Sequence, residues 1–316
     1  MALLASATAN EEAFAVACTV TGFSGSYGAV SLLSSSAVPT TATFTVSCNG
    51  GTSGQALRFC MSIGPGSTTT GSSGERVLRS SSAYIDHELY ADAAHSHVWG
   101  SWGISVSSPY PSSSPAGIQQ DVTLDGAGSG AFTFTVYAQI LANQAGASLG
   151  SYTWTGSGPT VQYRPLSGST ACPTTGGSTD GATMTLTATI AGSCTVSTTA
   201  VNFGSVSSLG GNIDSTGTLT VQCTNLLPYN VKLDAGLGSG ATVANRKMTS
   251  GAYTVNYSLY QDNARTIVWG QTVGTNTLSS TGSGSNQVLT VYGRAPSQTT
   301  PAPGSYSDTV VVTITY

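Results

Sequence analysis

All three histidines of the chain, His87, His95 and His97, stand close together with Asp86, Glu88 and Asp92. Alternate residues of a strand share a face, so His95 and His97 could turn two imidazoles toward one metal ion. A His-x-His pair alone is weak evidence for a metal. Asp92 has a counterpart at Asp262 where no histidine accompanies it, which favours a turn role for the aspartate. No metal site is assigned. Serine is abundant, yet no G-x-S-x-G turn occurs and no histidine adjoins a plausible nucleophile. Nothing singles out a carboxylate pair for glycoside hydrolysis. The chain reads as non-enzymatic and without a cofactor.

The remaining chemistry is that of six cysteines. They form no C-x-x-C or Cys/His zinc pattern, so disulfides in an oxidising compartment are expected. The opening Met1–Ala9 fits the end of a secretory signal, with Ala7-Thr8-Ala9 as the small-x-small cleavage pattern. A flexible tail of small residues is the plain alternative.

Charged residues make up 7% of the 316, against about 25% in ordinary soluble proteins. The net charge of −4 arises from few charges, so no basic footprint for nucleic acid or anionic membrane exists. No apolar run reaches the roughly 18 residues of a membrane-spanning helix. Helix formers such as Lys and Glu are scarce, while Val, Thr and Tyr recur in short alternating runs bounded by Gly, Ser, Pro and Asn. Thr41–Val46, Phe132–Val136, Leu219–Gln222 and Val310–Thr315 are such runs. They predict an all-β protein.

Internal repetition fixes the organisation. Cys18-Thr-Val returns as Cys194-Thr-Val, and Thr45-Val-Ser-Cys48 as Thr220-Val-Gln-Cys223. Leu89–Gly100 and Leu259–Gly270 both read L-Y-x-D-x-A-x-x-x-V-W-G. Thr135-Val-Tyr matches Thr290-Val-Tyr, and Gly150-Ser-Tyr matches Gly304-Ser-Tyr. Two homologous domains are predicted, at 10–165 and 182–316, each an immunoglobulin-like β-sandwich, with a Gly/Ser/Thr-rich linker at 166–181. Their equivalence pairs Cys18 with Cys48 and Cys194 with Cys223. Cys60 and Cys172 remain, and their pairing would pin the linker to the first domain.

The strand Asp308–Tyr316 closes the sequence, so the second sandwich is expected to be one strand short. Just before that domain, Ala182–Ile190 alternates almost perfectly, with Met184, Leu186, Ala188 and Ile190 on one face. One reading inserts this segment into the first domain as its missing strand and leaves the second to be closed in trans by strand addition. The other makes it the first strand of the second domain.

Ala191-Gly-Ser-Cys-Thr-Val, Val201-Asn-Phe-Gly, Leu219-Thr-Val-Gln-Cys, Tyr292-Gly-Arg and Gly304–Tyr316 together resemble the spore coat protein U domain, which builds archaic chaperone–usher pili. The resemblance covers nearly all of the second repeat. The first departs from it, with Ser26-Tyr27-Gly28 near the place of Asn-Phe-Gly and an insertion at Ser101–Gln120. What the resemblance implies is a two-domain tip adhesin, exported through the periplasm to the cell surface. Its partners would be a periplasmic chaperone, an outer-membrane usher, an adjacent pilin that donates a strand, and an abiotic or host surface. It further implies apolar, finger-like loops that promote attachment and biofilm formation. Strand alternation places the expected fingers at Ser31–Pro39 (Leu32, Leu33, Val38), at Ile140–Gly150 (Ile140, Leu141, Leu149) and in the insertion (Trp102, Ile104, Val106, Tyr110, Ile118). The matching loop of the second repeat, Ala295–Gly304, has no large apolar residue. A sugar-binding tip using Tyr84, Trp99 or Trp102, and a structural subunit without a ligand, are the competing readings.

Overall fold

The computed structural model describes residues 16–63, 76–81, 83–100, 118–166 and 178–316. These residues form strands joined by turns and loops, and the protein is all-β. Chain order runs β1 (Ala17–Val20), β2 (Phe23–Val30), β3 (Val38–Asn49), β4 (Ala56–Ser62), β5 (Arg76–Arg79) and β6 (Tyr84–Tyr90). It continues with β7 (Ile118–Thr123), β8 (Gly130–Ile140), β9 (Gly150–Pro165) and β10 (Ser178–Ile190). The rest comprises β11 (Cys194–Thr198), β12 (Ile213–Cys223), β13 (Pro228–Leu233), β14 (Arg246–Ser250), β15 (Tyr253–Tyr260), β16 (Leu278–Thr281), β17 (Gln287–Ala295) and β18 (Val312–Thr315).

Two compact units result. The first takes the described residues up to Gly28, then Ala37–Leu141 and Tyr152–Ala188; the second takes Ala29–Ser36, Ala142–Ser151 and Thr189–Tyr316. In the first, strands follow the order β1-β3-β8-β6-β5-β9-β10-β2, with β4 paired to β7 and β9. In the second, β11-β12-β17-β15-β14 faces the smaller sheet β16-β13-β18 across a shared core. Alternation explains the packing. Along β12, Leu219, Val221 and Cys223 point inward while Thr218, Thr220 and Gln222 are only half-buried. Each fully buried Leu or Val contributes about 1.5–3 kcal/mol.

The repeat seen in sequence is a repeat in register. Cys18 opposes Cys48 and is bonded to it, as Cys194 opposes and is bonded to Cys223. The sequence separations of 30 and 29 make each bridge worth about 3–4 kcal/mol in the chain-entropy model. Cys60 is disulfide-bonded as well, and Cys172 lies outside the described residues. Asp92 caps its turn by accepting bonds from the backbone N–H groups of Ser96 and His97, and Asp262 does the same for Thr266 and Ile267. Gly28 and Gly204, both at positive φ, donate their N–H to the side chains of Ser26 and Asn202. Ser26-Tyr27-Gly28 is therefore the structural counterpart of Asn202-Phe203-Gly204.

A tryptophan and an arginine lock each unit. Trp99 Nε1 donates to the Met61 carbonyl at 3.1 Å, and Trp269 Nε1 to that of Val231 at 3.0 Å. Arg76 Nη2 donates to the Trp99 carbonyl and Arg246 Nη2 to the Trp269 carbonyl, both at 2.8 Å. Arg76 is also ion-paired with buried Glu88. Ser258 stands at Glu88's place, and Arg246 instead donates to the carbonyls of Asp234, Val243 and Leu233. Burial pulls the Arg246 guanidinium below its usual pKa. Arg246→Met would leave four carbonyls, two of them in buried hydrogen bonds, without this donor. The expected loss is about 2–4 kcal/mol of the second unit's stability, read from its midpoint in urea.

Candidate functional site

The two units differ at one equivalent groove. In the first, β10 lies between β9 and β2. Asp180 accepts a bond from Val20 N, Thr187 Oγ1 donates to Ser26 Oγ, and Ala191 N donates to the Val30 carbonyl. Residue numbers rise together on both strands, so β10 runs parallel to β2. Met184, Leu186, Ala188 and Ile190 are all buried on its inward face. A long apolar face and two strand edges are thereby covered.

In the second unit the counterparts of β2 and β9 are 199–206 and 304–315. Most of 199–206 carries no ladder, and only Val312–Thr315 forms a strand, whereas β9 spans Gly150–Pro165. Between them lies a groove of about 950 Å³. Its walls include Val201, Phe203 and Val310, and its floor Leu219, Val255 and Leu259. Val206 stands exposed on its rim. Edge groups outside any ladder beside an apolar floor are the features to which an extended chain adds as a strand.

One polar contact marks the groove. Tyr257 Oη donates to Asp308 Oδ2 at 2.7 Å, and Asp308 Oδ1 accepts from Leu237 N. Burial, then the Asp308 carboxylate, push the Tyr257 phenol far above its ordinary range, so it remains a donor at any physiological pH. At the matching place in the first unit sits His87, buried between Trp154 and Tyr27 rings. Burial, helped by Arg76, holds the His87 imidazole well below its usual pKa.

The histidines do not converge on one point. His87 is in the core, His95 takes a left-handed turn conformation, and His97 is exposed beside Asp92. Hydrogen bonds from the Ser96 hydroxyl and then from backbone N–H groups pull the Asp92 carboxyl down to about 2. Among the described residues no group of three His, Cys, Asp or Glu could hold a metal ion.

The expected apolar fingers need correction. Leu32 and Ile140 are 4% and 0% exposed, so neither reaches solvent. Leu33, Val38, Leu141 and Leu149 are half-buried, and Leu149 packs against the second unit's core. The two loops belong largely to that second unit, where Asn225 Nδ2 donates to the Gly146 carbonyl and Leu149 N to the Asn225 carbonyl. The physical reason is the path of β10, which runs back along the first unit before the second begins at Thr189. Trp102, Ile104, Val106 and Tyr110 lie outside the described residues, and Ile118 is half-buried at the start of β7. Sequence reasoning missed the buried Arg76 and Arg246. An arginine recurring upstream of each V-W-G block was the available signal.

Tandem β-sandwiches, one carrying an extra strand and one with an open groove, define a two-unit protein of pilin-like fold. The chain belongs to the Spore Coat Protein U domain family, whose model matches residues 4–155 and 180–313. Protein U of Myxococcus xanthus is 39% identical over 145 residues, covering 41% of this chain and 80% of that protein. Among solved structures, the fold is similar to that in the CsuC–CsuE chaperone–tip adhesion subunit pre-assembly complex, from archaic chaperone–usher Csu pili of Acinetobacter baumannii. The TM-score is 0.54 at 16% identity, over 95% of this chain and 100% of that one. The CupB6 tip adhesin of Pseudomonas aeruginosa aligns over 96% of this chain and 94% of its own, with 14% identity and a TM-score of 0.37.

Buried, neutral His87 gives the first unit an acid sensitivity of definite sign. The unfolded imidazole titrates near 6.5, and the folded one only well below. Its contribution is whole above about pH 7 and declines as pH falls below 6.5, because the unfolded chain then binds a proton that the folded one refuses. Between pH 7 and pH 5 the loss is expected to be about 1–2 kcal/mol. His87→Phe should flatten that slope in urea midpoints measured across the range.

Proposed function

We propose that this chain is the two-domain tip subunit of an archaic chaperone–usher pilus. It would be exported through the periplasm and displayed at the cell surface, where it attaches cells to a surface and promotes biofilm growth. One observation carries the reading: equivalent grooves in the two units, the first covered by β10 and the second open. On this reading Met184, Leu186, Ala188 and Ile190 form a donor strand that closes the first unit within the chain. The second groove is held by a periplasmic chaperone before assembly and afterwards by a strand of the adjacent pilin, delivered at the usher. Fold likeness to the chaperone–tip adhesion subunit complex over 95% of this chain supports the reading. The spore coat family and the pilus-protein fold neighbour support a binding or structural role in place of catalysis.

Attachment is assigned to the segment holding Trp102, Ile104, Val106 and Tyr110. Among the described residues of the first unit, Tyr84 and Leu166 are the large hydrophobics that stand exposed, too few for an apolar patch. An abiotic or host surface of apolar character is the expected partner. The relation to Protein U favours a second reading, a coat subunit without a ligand. The triple variant Trp102→Ser, Ile104→Ser, Tyr110→Ser separates the two. Attachment to polystyrene should fall at least about tenfold while surface display stays normal, as expected for several aromatic and aliphatic anchors lost together. Unchanged attachment would leave the coat reading.

A further inference from the structure

The two grooves are not equally roomy at one position, and the difference bears on which strand the open one accepts. In the first unit Leu186 packs over Gly25, where an added Cβ would come within 2.7 Å of Leu186 Cδ2 and 3.0 Å of the Ala42 Cβ. The matching residue of the second unit is Val201. Register fixes that match: Thr40 Oγ1 donates to the carbonyl of Ser26, and Ser215 Oγ to that of Asn202. Ala42 opposes Val136 as Gly217 opposes Val291, and Thr40 opposes Ala138 as Ser215 opposes Gly293. Thus Gly25, Ala42 and Ala138 of the first unit become Val201, Gly217 and Gly293 of the second. Val201 fills the exchanged space: its Cγ2 would lie 2.9 Å from a Cβ on Gly217 and its Cγ1 2.6 Å from one on Gly293. Phe203 Cζ crowds the same glycine at 3.0 Å. The floor loses two methyl groups, but the wall gains a whole isopropyl group, whose Cβ takes the position that in the first unit lies 2.7 Å from Leu186 Cδ2.

Resting on the strand-complementation reading, we infer that the open groove takes a donor strand with Gly, Ala or Ser where β10 carries Leu186. It therefore discriminates against β10 of a second copy of this chain. The strand it accepts is otherwise of the same chemistry, extended and alternately apolar, because the floor of Leu219, Val255 and Leu259 is apolar along its length. Forcing a leucine onto Val201 is overpacking, which is costly in a close-packed interior.

Two synthetic peptides test this against the purified full-length chain by fluorescence anisotropy: residues 182–190 with the native sequence, and the same peptide with Leu186→Ala. The alanine peptide, although less apolar, is expected to bind at least about tenfold more tightly, the size typical of relieved overpacking. On a Val201→Ala chain the order should reverse, with the native peptide gaining. Equal or tighter binding of the native peptide to the unaltered chain overturns the inference while leaving strand complementation intact. So does a preference that Val201→Ala does not move. Failure of both peptides to bind either chain overturns the complementation reading and this inference together.

Discussion

A β-sandwich must cover both its apolar interior and the hydrogen-bonding edges of its strands, and this chain meets that requirement in one unit only by using an extra strand. In water an uncovered strand edge keeps its N–H and C=O groups solvated, but an uncovered core face keeps its apolar cost. Covering one without the other gains little, because a strand delivers both at once: a ladder from its backbone and alternate side chains into the core. β10 does this between β9 and β2, with Met184, Leu186, Ala188 and Ile190 inward. In the second unit the corresponding floor of Leu219, Val255 and Leu259 borders a groove whose walls are largely without ladders. Other features of the molecule are arranged around that difference.

The scaffold beneath the grooves is held constant. Both units keep a disulfide across two antiparallel strands, a tryptophan donating to a strand carbonyl (Met61 of β4, Val231 of β13), and an arginine donating to that tryptophan's carbonyl. Both keep the aspartate that organises the turn before the V-W-G block. These contacts lie within each sandwich and do not use the missing strand. Each unit can therefore hold its shape while its groove diverges. Divergence has occurred there, with His87 against Tyr257 and Gly25 against Val201, and also beside the buried arginine, with Glu88 against Ser258. The first unit buries an ion pair and a neutral imidazole, whereas the second satisfies its arginine with backbone carbonyls and its phenol with Asp308.

Much of this was legible in the sequence. Alternating runs such as Leu219–Gln222 marked strands because inward and outward residues differ in polarity on a half-buried sheet. The ungapped Leu89–Gly100 and Leu259–Gly270 match gave the repeat, and the repeat gave the cysteine pairs that the structure contains. Groove-facing residues were less legible, because Gly25 and Val201 only acquire meaning once register across three strands is known. The loops at Leu32 and Ile140 were misplaced for a related reason. Composition cannot show that β10 pairs along β9 and β2 of the first unit, or that Ala29–Ser36 and Ala142–Ser151 group with the second. Arg76 and Arg246 escaped because a buried guanidinium looks in sequence like any surface charge. Its neighbours reveal it only in three dimensions.

Connectivity finally separates the two grooves in kinetics as well as in shape. A strand tethered by a linker as short as 166–177 faces its groove at an effective concentration in the millimolar range, far above that of a free subunit. On the proposed reading the first unit therefore closes on itself as the chain folds, without waiting for a partner. On the same reading the second groove has no such advantage and takes its strand from another molecule. In a periplasm crowded with newly exported copies, the commonest extended strand nearby would be β10 of a sister chain not yet seated. An acceptor with room for Leu186 would then be drawn into chain-to-chain linkage, the fate that open β-edges generally invite. Val201, sunk over Gly217 and Gly293, opposes that outcome by shape alone, and the groove remains open for a strand of a different sequence.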